Sequence, residues 1–298
     1  MDNRDLSQRI GTVEMIIAML LSGSIGLFVI KSGQSPINIV FFRCIIAAIC
    51  LIPICLFYGY FQKKYFALKE VLLMIASGLL IVFNWALLFA AFPKTSISLA
   101  TIVYHVNPFI ILFFAAIAFH EKINKNDIFW TVLAFIGLII IIGLGNSSFN
   151  FDELFGLLLV LTATTLYSVS VLITKKLKNT PPLLIVLVQT LSGAIAIGPF
   201  ISILQTPPVG VQWIYIVCLG IFHTALLYFL MYSAIKKISL NSIAILSFIY
   251  PLSTVFIDYI FFNHLLTSNQ VIGAVLILFG VLGVKLHWNI PELKRTLP

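Results

Sequence analysis

Apolar stretches of membrane-crossing length follow one another along almost the whole chain, with short polar segments between them. A helix needs about 20 apolar residues to cross about 30 Å of hydrocarbon. Ten stretches reach this length, and they predict an all-α polytopic membrane protein with ten transmembrane helices. The predicted spans are approximately 13–30, 37–58, 70–91, 97–119, 127–145, 154–174, 182–203, 212–234, 240–262 and 269–287.

The composition agrees with a membrane location for most of the chain. Of the 298 residues, 61% are hydrophobic and 9% are charged, and the mean hydropathy is +1.11. Soluble domains average about 25% charged residues. The connections between spans are short, so we expect no separate soluble domain. The first span is followed closely by others and lacks a small-residue cleavage motif, which argues against a removed signal peptide.

Lysine and arginine predict how the chain is oriented. With a cytoplasmic N-terminus, fifteen of the eighteen cations lie in inner segments and two, Lys31 and Lys94, lie in outer ones. The eighteenth, Arg43, lies inside a span. We therefore expect a multi-pass protein of the plasma membrane (the bacterial inner membrane), with both termini cytoplasmic. The net charge of +8 is explained by orientation in a lipid bilayer, so no nucleic-acid partner is expected.

The first half of the chain matches the second half when one is shifted onto the other. Residues 91–142 laid on 234–285 without a gap give 12 identities in 52 positions. The shared residues include Pro108 with Pro251 and Gly137 with Gly280, which shape backbone structure rather than fill apolar space. A duplicated membrane unit is typical of carriers that move substrate between two repeats.

The number of spans in each half predicts how the two copies are related. Five spans precede residue 150 and five follow it. Because five is odd, the second copy enters the membrane upside down. We therefore expect two inverted five-helix repeats, at 1–145 and 154–298, joined by an outer linker at 146–153. Such a pair has a pseudo-two-fold axis in the membrane plane, with substrate bound near the midplane.

The order of polar residues, proline and glycine in the fourth and fifth spans is more informative about the family of the protein. A polar segment with Tyr104, His105, Asn107 and Pro108 precedes an apolar run that ends at Glu121, and a glycine-bearing span follows. This layout resembles the drug/metabolite transporter superfamily, in its EamA-like ten-helix branch. The second half repeats it with Pro251 and Gly280, although His264 stands at the position of Glu121. Arg43 resembles an arginine near the start of the second helix of that family.

The resemblance implies a basket of ten helices that moves small organic metabolites, commonly amino acids outward, without ATP hydrolysis. The chain contains no G-x-x-x-x-G-K-[ST] loop, which agrees with the last point. We therefore expect a secondary active transporter that exports an amino acid or related zwitterion by alternating access. Neither a cofactor nor a metal is expected, since the four cysteines fall inside spans without metal-ligand spacing.

Polar and aromatic side chains deep within the spans are the candidate substrate ligands. Polar groups are costly in hydrocarbon, so they face a cavity or another helix. Few of them carry a fixed charge, which suits a zwitterion better than a multiply anionic solute. The candidates are Asn84, Trp85, Tyr104, His105, Asn107, Tyr228, Tyr232, Ser247 and Tyr250.

Four ionisable residues are candidates for gating or coupling. His105 and His223 lie about 15 Å inside their spans, at 1.5 Å per helical residue, and His105 is the candidate for proton coupling because histidine titrates near neutral pH. Arg43 and Asp258 both lie towards the outer face, where they form an ion pair or Arg43 extends to the interface. Pro108 and Pro251 are expected to kink their helices symmetrically.

Other function classes remain as alternatives. A carrier of quaternary amines or other organic cations would use Trp85 and the deep tyrosines as a cation–π cage, with Asp258 as counter-charge. A membrane-embedded enzyme would need clustered acids, paired histidines or a nucleophile beside a base, and the spans lack these signatures. A channel would lack saturable counter-flow. The sequence leaves open whether the protein is a monomer or a homodimer.

Overall fold

The computed structural model describes residues 3–91, 94, 100, 103–119, 124–142, 151–201, 207–262, 267–286 and 288, and within them it contains no β-strand. Thirteen α-helices occur there: α1 Asn3–Gly23, α2 Ile25–Ser32, α3 Pro36–Phe57, α4 Leu68–Ala91, α5 Asn107–Phe119, α6 Lys125–Ile142, α7 Phe151–Lys176, α8 Pro182–Ile197, α9 Gln212–Gly220, α10 Leu227–Lys237, α11 Leu240–Leu246, α12 Ile249–Phe262 and α13 Ser268–Lys285. Short 3₁₀ turns occupy Lys63–Tyr65 and Gly198–Phe200, and a π-helical turn occupies Ile221–Leu226.

Seven helical runs in this part of the chain are long and apolar enough to cross a membrane: Asp5–Ser32, Pro36–Phe57, Leu68–Ala91, Phe151–Lys176, Pro182–Phe200, Gln212–Lys237 and Leu240–Ile257. Each coincides with one predicted span. The predicted spans 127–145 and 269–287 overlap α6 and α13, and α5 covers the second half of the predicted span 97–119. The structure is thus all-helical with several membrane-crossing helices, while the count of ten transmembrane helices stays a prediction.

Residues 151–153 belong to α7 rather than to the predicted linker between the halves. The acids Asp152 and Glu153 lie in the first turn of that helix, where negative charge is favourable against the helix dipole. The remainder of the predicted linker, 146–150, lies outside the described residues.

Lipid-facing and protein-facing sides separate along the helices. Large apolar side chains with more than two-fifths of their surface exposed include Ile49, Phe113, Ile195 and Ile214, all within helices. In water such a surface would be unusual, whereas in a bilayer it meets acyl chains. The inward faces form one continuous apolar core that joins both halves of the chain.

Helices pair across the two halves in a repeating pattern. Helix α4 packs on α7 and α8, and the corresponding helices of the other half, α10 and α9, pack on α1 and α3. Likewise α5 packs on α7, and α12 packs on α1. The pairs α3–α8, α5–α11 and α6–α13 each join corresponding spans. These packed pairs therefore map onto one another when each span is exchanged for its counterpart.

Glycines allow α6 and α13 to cross at close range. A Cβ atom placed on Gly137 would lie 2.6 Å from the carbonyl oxygen of Gly273, and one placed on Gly280 would lie 2.6 Å from that of Trp130. The shift that lays residue 91 on residue 234 also lays Gly137 on Gly280 and Trp130 on Gly273. Because no side chain fits between the two backbones, these positions require glycine.

Candidate functional site

A cavity of about 830 Å³, which includes the part open to solvent, lies between the two halves of the chain. Its walls come from α1, α2, α3, α4, α7, α10 and the segments around Asn107 and Tyr250. The lining residues are Met19, Ser22, Ile25, Gly26, Val29, Arg43, Trp85, Leu88, Phe89, Tyr104, His105, Asn107, Tyr167, Leu227, Tyr228, Met231, Ser247 and Tyr250.

Much of the cavity wall consists of residues that occupy corresponding positions in the two halves. The shift of the self-match relates four pairs of lining residues: Trp85 and Tyr228, Leu88 and Met231, Tyr104 and Ser247, Asn107 and Tyr250. Residues from both halves thus face each other across one space.

Helix breaks bring the polar residues of two spans into this cavity. Residues 105–106 form a turn before α5, and residues 247–248 form a turn between α11 and α12. Each break lies a few residues before a proline, Pro108 or Pro251, whose missing N–H cannot continue the helical ladder. The carbonyl of Tyr104, four residues before Pro108, accepts a long hydrogen bond of 3.5 Å from Thr164. The residues at and beside the breaks that line the cavity include His105, Asn107, Ser247 and Tyr250.

Trp85 and Tyr228 meet at the centre of the wall. The indole Nε1 of Trp85 donates to the hydroxyl of Tyr228 over 2.9 Å. Their rings pack edge to face, with centroids 5.3 Å apart. Both side chains are buried, so the bond satisfies an indole donor that would otherwise be stranded in an apolar site.

Arg43 forms a charged section of the cavity wall and is 1% exposed. Its Nε donates to Thr224 Oγ1 over 3.0 Å, and its Nη2 donates to the carbonyl of His223 over 2.9 Å. The guanidinium carbon lies 4.2 Å from the centroid of the Trp85 ring, a cation–π distance. The structure therefore places Arg43 against the cavity and away from the outer interface.

The two groups that hold Arg43 belong to the π-helical turn Ile221–Leu226. In this turn Thr224 Oγ1 donates to the carbonyl of Leu219, five residues back, over 2.7 Å. Its oxygen remains free to accept from Arg43. A π-turn contains one residue more than the α-helical turn it replaces, and such turns are frequent at functional sites.

The register of the two halves shows the same extra residue. Before the turn, Gly220 packs closely against Ile46 of α3, and Gly78 packs in the same way against Gln189 of α8. A Cβ atom placed on either glycine would lie within about 2.6 Å of that neighbour. The shift that lays Trp85 on Tyr228, beyond the turn, lays Gly78 one position past Gly220. The one additional residue in the π-turn accounts for this shift of one position between the two halves.

His105 and Asn107 are buried where they line the cavity. The His105 ring stacks on Tyr250 with centroids 5.2 Å apart and planes inclined by 6°. Asn107 is 4% exposed, and its Oδ1 has no hydrogen-bond partner among the described residues. An unmatched acceptor beside a cavity is a ready site for a ligand donor, because burial without a partner is costly.

His223 lies beside the cavity wall, outside its lining. Its Nε2 lies 2.7 Å from the hydroxyl of Ser24, at the junction of α1 and α2, and its Nδ1 lies 3.2 Å from the carbonyl of Cys218. Phe28 packs on the ring at 4.7 Å. Since a carbonyl only accepts, Nδ1 carries a proton, and the charge of the ring depends on the proton state of Nε2.

Two further predicted ligands lie behind the wall. The Asn84 amide donates to the carbonyl of Ala163 over 2.7 Å and contacts the Tyr104 hydroxyl at 3.4 Å. The Tyr232 hydroxyl donates to Gln189 Oε1 over 2.6 Å. These side chains brace lining residues rather than face the cavity. The side chain of Asp258 lies outside the described residues, as do Glu121 and His264, so the predicted pairing of Asp258 with Arg43 stays a prediction.

The glutamine Gln189 was not anticipated from the sequence. Besides accepting from Tyr232, its Nε2 donates to Ser77 Oγ over 2.7 Å. It thereby joins α8 to α4 and α10 inside the bundle. An amide within an otherwise apolar span was the available signal, because a buried amide needs partners on other helices.

At one end of the bundle, lysine side chains form hydrogen bonds that hold the helix ends together. Lys175 Nζ donates to the carbonyls of Ile235 and Ile238, and Lys236 Nζ donates to the carbonyls of Lys178 and Thr180. These contacts join the α7–α8 connection to the end of α10. The cavity-lining residues of α4 and α10 lie towards the opposite ends of those helices.

An ion pair strengthens the same end. Lys237 Nζ lies 2.6 Å from Glu14 Oε1, which also accepts from Ser233 over 2.9 Å. Glu70 Oε2 accepts from Thr180 over 3.0 Å. Helices α1, α4 and α10 and the α7–α8 connection therefore converge there. These contacts join the helix ends on the lysine-rich side, which is the predicted cytoplasmic side.

Metal ligation has no support in the part of the chain that the structure describes. No group of three or more His, Cys, Asp or Glu residues converges there. The cavity lining offers aromatic faces, hydroxyls, one imidazole, one amide and one guanidinium.

Comparisons with known proteins find similar transporters. The model of the EamA-like transporter family matches the chain twice, over residues 9–143 and 154–286. The uncharacterized transporter YxxF of Bacillus subtilis (strain 168) is 29% identical over 272 residues, which cover 90% of this chain and 87% of that protein.

A second relative and a solved structure extend the likeness. An uncharacterized transporter of Archaeoglobus fulgidus is 24% identical over 278 residues, covering 92% of this chain and 96% of the relative. A protein crystal structure with 17% identity superimposes with a TM-score of 0.80, covering 93% of this chain and 96% of that chain. At this identity the solved structure supports the fold alone.

Proposed function

The chain belongs to the EamA-like transporter family, and from this membership we propose that it is a secondary carrier that exports an amino acid or related zwitterion by alternating access. The observation that carries the proposal is the central cavity. It lies between two halves that match the same family model, and it is lined by residues at corresponding positions of both. A site on the axis between two repeats is where such carriers bind substrate.

The closed lysine-rich end supports alternating access. Arg43, Trp85 and Tyr228 lie on the cavity side of the ties made by Lys175, Lys236 and Lys237. Opening that end requires these hydrogen bonds to break while corresponding contacts close the other end. Because the main packed pairs of spans map onto one another on exchange of the halves, the two states are expected to be related by the same exchange. In a bacterial inner membrane with cytoplasmic termini, the lysine-rich end faces inward.

The composition of the cavity favours a zwitterion over an organic cation. A cation–π cage would need an open Trp85 face, but the Arg43 guanidinium already lies 4.2 Å from that ring. A second cation beside it would be repelled, because like charges in a poorly solvated site cost several kcal/mol at close range. Carriers of quaternary amines therefore remain the weaker alternative.

Binding and counter-flow measurements test this function. Purified protein should be stabilised against thermal unfolding by members of a panel of amino acids, amines and nucleosides, and amino acids should give the largest shift. In proteoliposomes, an internal amino acid should accelerate uptake of its labelled form. Stabilisation by betaine-like cations alone would favour the alternative, and linear, unsaturable flux would indicate a channel.

Proton coupling at His105 is part of the proposal. The ring is buried beside the cavity, stacked on Tyr250, where a change of charge would act directly on a bound solute. Replacing His105 with Gln should abolish the dependence of transport on a pH gradient while substrate binding persists. His223→Gln is the matched comparison, since that ring lies outside the lining. An unchanged pH-gradient dependence in H105Q would exclude His105 as the coupling residue.

A further inference from the structure

Arg43 lies in the cavity wall without a counter-charge among the described residues. The only ion pair found there joins Lys237 to Glu14. The partners of Arg43 are a hydroxyl, a carbonyl and an indole face, all neutral. Its Nη1 makes no hydrogen bond within the same set of residues. A cation held inside a membrane protein is costly unless an anion meets it.

The guanidinium is held in one orientation before any ligand arrives. Thr224 and the His223 carbonyl fix Nε and Nη2 along one edge, and Trp85 covers one face. Arg43 also lines the cavity. A preoriented guanidinium loses little freedom on binding a carboxylate, so more of the interaction energy appears as affinity.

Asn107 presents the opposite chemistry in the same cavity. Its Oδ1 is a buried acceptor without a donor among the described residues. An ammonium group supplies up to three donors and would satisfy it. Between these polar groups the lining is apolar, with Met19, Leu88, Phe89, Leu227 and Met231. Such a surface accommodates an uncharged, apolar side chain.

We propose that Arg43 binds the carboxylate of the substrate and Asn107 Oδ1 its ammonium group, so that the carrier selects α-amino acids with apolar side chains. This assignment rests on the proposed function and specifies how its site recognises the solute. Thr224 and the π-turn act as positioning elements, because they touch the guanidinium rather than the substrate. Arg43 is then a specificity residue instead of a gate.

A matched ligand series tests the assignment on the full-length protein in detergent or nanodiscs. The probes are L-phenylalanine, its amide, which lacks the carboxylate, and 3-phenylpropanoate, which lacks the ammonium group. The corresponding leucine series repeats the test with a smaller side chain. Affinities are measured by calorimetry and by thermal stabilisation. In the wild type, the amino acid should bind at least about 10-fold more tightly than either analogue, since each charge-assisted hydrogen bond is worth that much.

Substitutions should remove each preference separately. Arg43→Gln should weaken the amino acid by about 10-fold or more and abolish the preference for acid over amide. Asn107→Leu should abolish the preference for the amino acid over 3-phenylpropanoate and leave the other preference intact. Lys31→Gln, an exposed cation at the end of α2, should change neither. Should R43Q fail to fold, Thr224→Val keeps the cation and should weaken the amino acid by about 3-fold through lost orientation.

The outcomes separate this assignment from the broader function. Amino acids that bind wild type and R43Q with the same acid-to-amide preference would overturn the role of Arg43 and leave the carrier function standing. Tight binding of the amide alone would overturn the role of Arg43 and favour a cation carrier. Absence of binding by every member of both series would overturn both.

Discussion

Trp85 and Tyr228 occupy corresponding positions in the two halves of the chain, and they are hydrogen-bonded to each other. A residue related to another by a two-fold axis can touch its own counterpart only where the axis passes between them. The contact therefore supports an axis through the centre of the cavity wall. The same bond fixes the Trp85 ring beneath the guanidinium of Arg43.

The Trp85–Tyr228 bond should contribute measurably to stability. Tyr228→Phe leaves the buried indole N–H without an acceptor, and we expect a loss of about 1–3 kcal/mol with a lower Tm. Trp85→Phe removes the donor. The double variant should lose less than the sum of the single losses, because the second substitution removes a group that is already unpaired. Thermal unfolding in detergent measures all three, with the exposed Tyr58→Phe as control. Additive losses would show that the bond contributes nothing.

The crossing of α6 and α13 should tolerate no side chain at its glycines. Gly137→Ala and Gly280→Ala would each place a Cβ 2.6 Å from a backbone oxygen, and we expect each to cost about 1–3 kcal/mol as overpacking. Gly26→Ala is the matched control, since a Cβ there meets nothing within 4 Å. A helical Gly→Ala change without a clash stabilises by about 0.5–1 kcal/mol. Equal Tm values for the three variants would contradict the close crossing.

Removing the lysine ties should open the lysine-rich end. In Lys236→Met, the carbonyls of Lys178 and Thr180 lose their donor, so closure on that side should weaken. Hydrogen–deuterium exchange should rise in the α7–α8 connection and at the end of α10, while α6 and α13 stay unchanged. Lys178→Met is the control, because this side chain is exposed and only its carbonyl takes part. Deuterium uptake equal to that of wild type would show that Lys236 does not hold the end closed.

Replacing one member of the Glu14–Lys237 ion pair should destabilise the protein more than replacing both. Lys237→Met leaves Glu14 partly buried, with Oε2 lacking a partner among the described residues. We expect a loss of about 1–3 kcal/mol, below the figure for fully buried pairs because both side chains keep some solvent. The double variant E14Q/K237M should recover part of that loss. A single and a double variant with the same Tm would indicate that the pair is energetically neutral.

Much of the site was accessible from the sequence because polar residues in apolar spans are conspicuous. Trp85, Tyr104, His105, Asn107 and Tyr250 were identified in this way, and the structure brings all of them to the cavity. The same rule cannot tell a lining residue from one that braces it. Asn84 and Tyr232 lie one layer back, where their hydrogen-bond partners, Ala163 and Gln189, are outside the cavity lining.

The environment of Arg43 could not be predicted. Its partners are a backbone carbonyl, which every residue possesses, and a threonine far along the chain in the other half. The π-turn that presents them adds a single residue to an apolar run, which disturbs no pattern of hydrophobicity. The lysine ties were not predicted for the same reason, since their acceptors are carbonyls.

The extra residue in the π-turn also makes the cavity directional. Val186, an apolar residue, stands at the position that corresponds to Arg43 in the second half, so the charge on one wall has no charged counterpart on the other. An α-helical turn in place of 221–226 would bring the two halves back to the same residue register. It would also move Thr224 and the His223 carbonyl away from the guanidinium of Arg43. On the proposed assignment, a solute whose carboxylate is bound by Arg43 would keep that end against the first half of the chain. It would then cross the membrane by translation, without turning over.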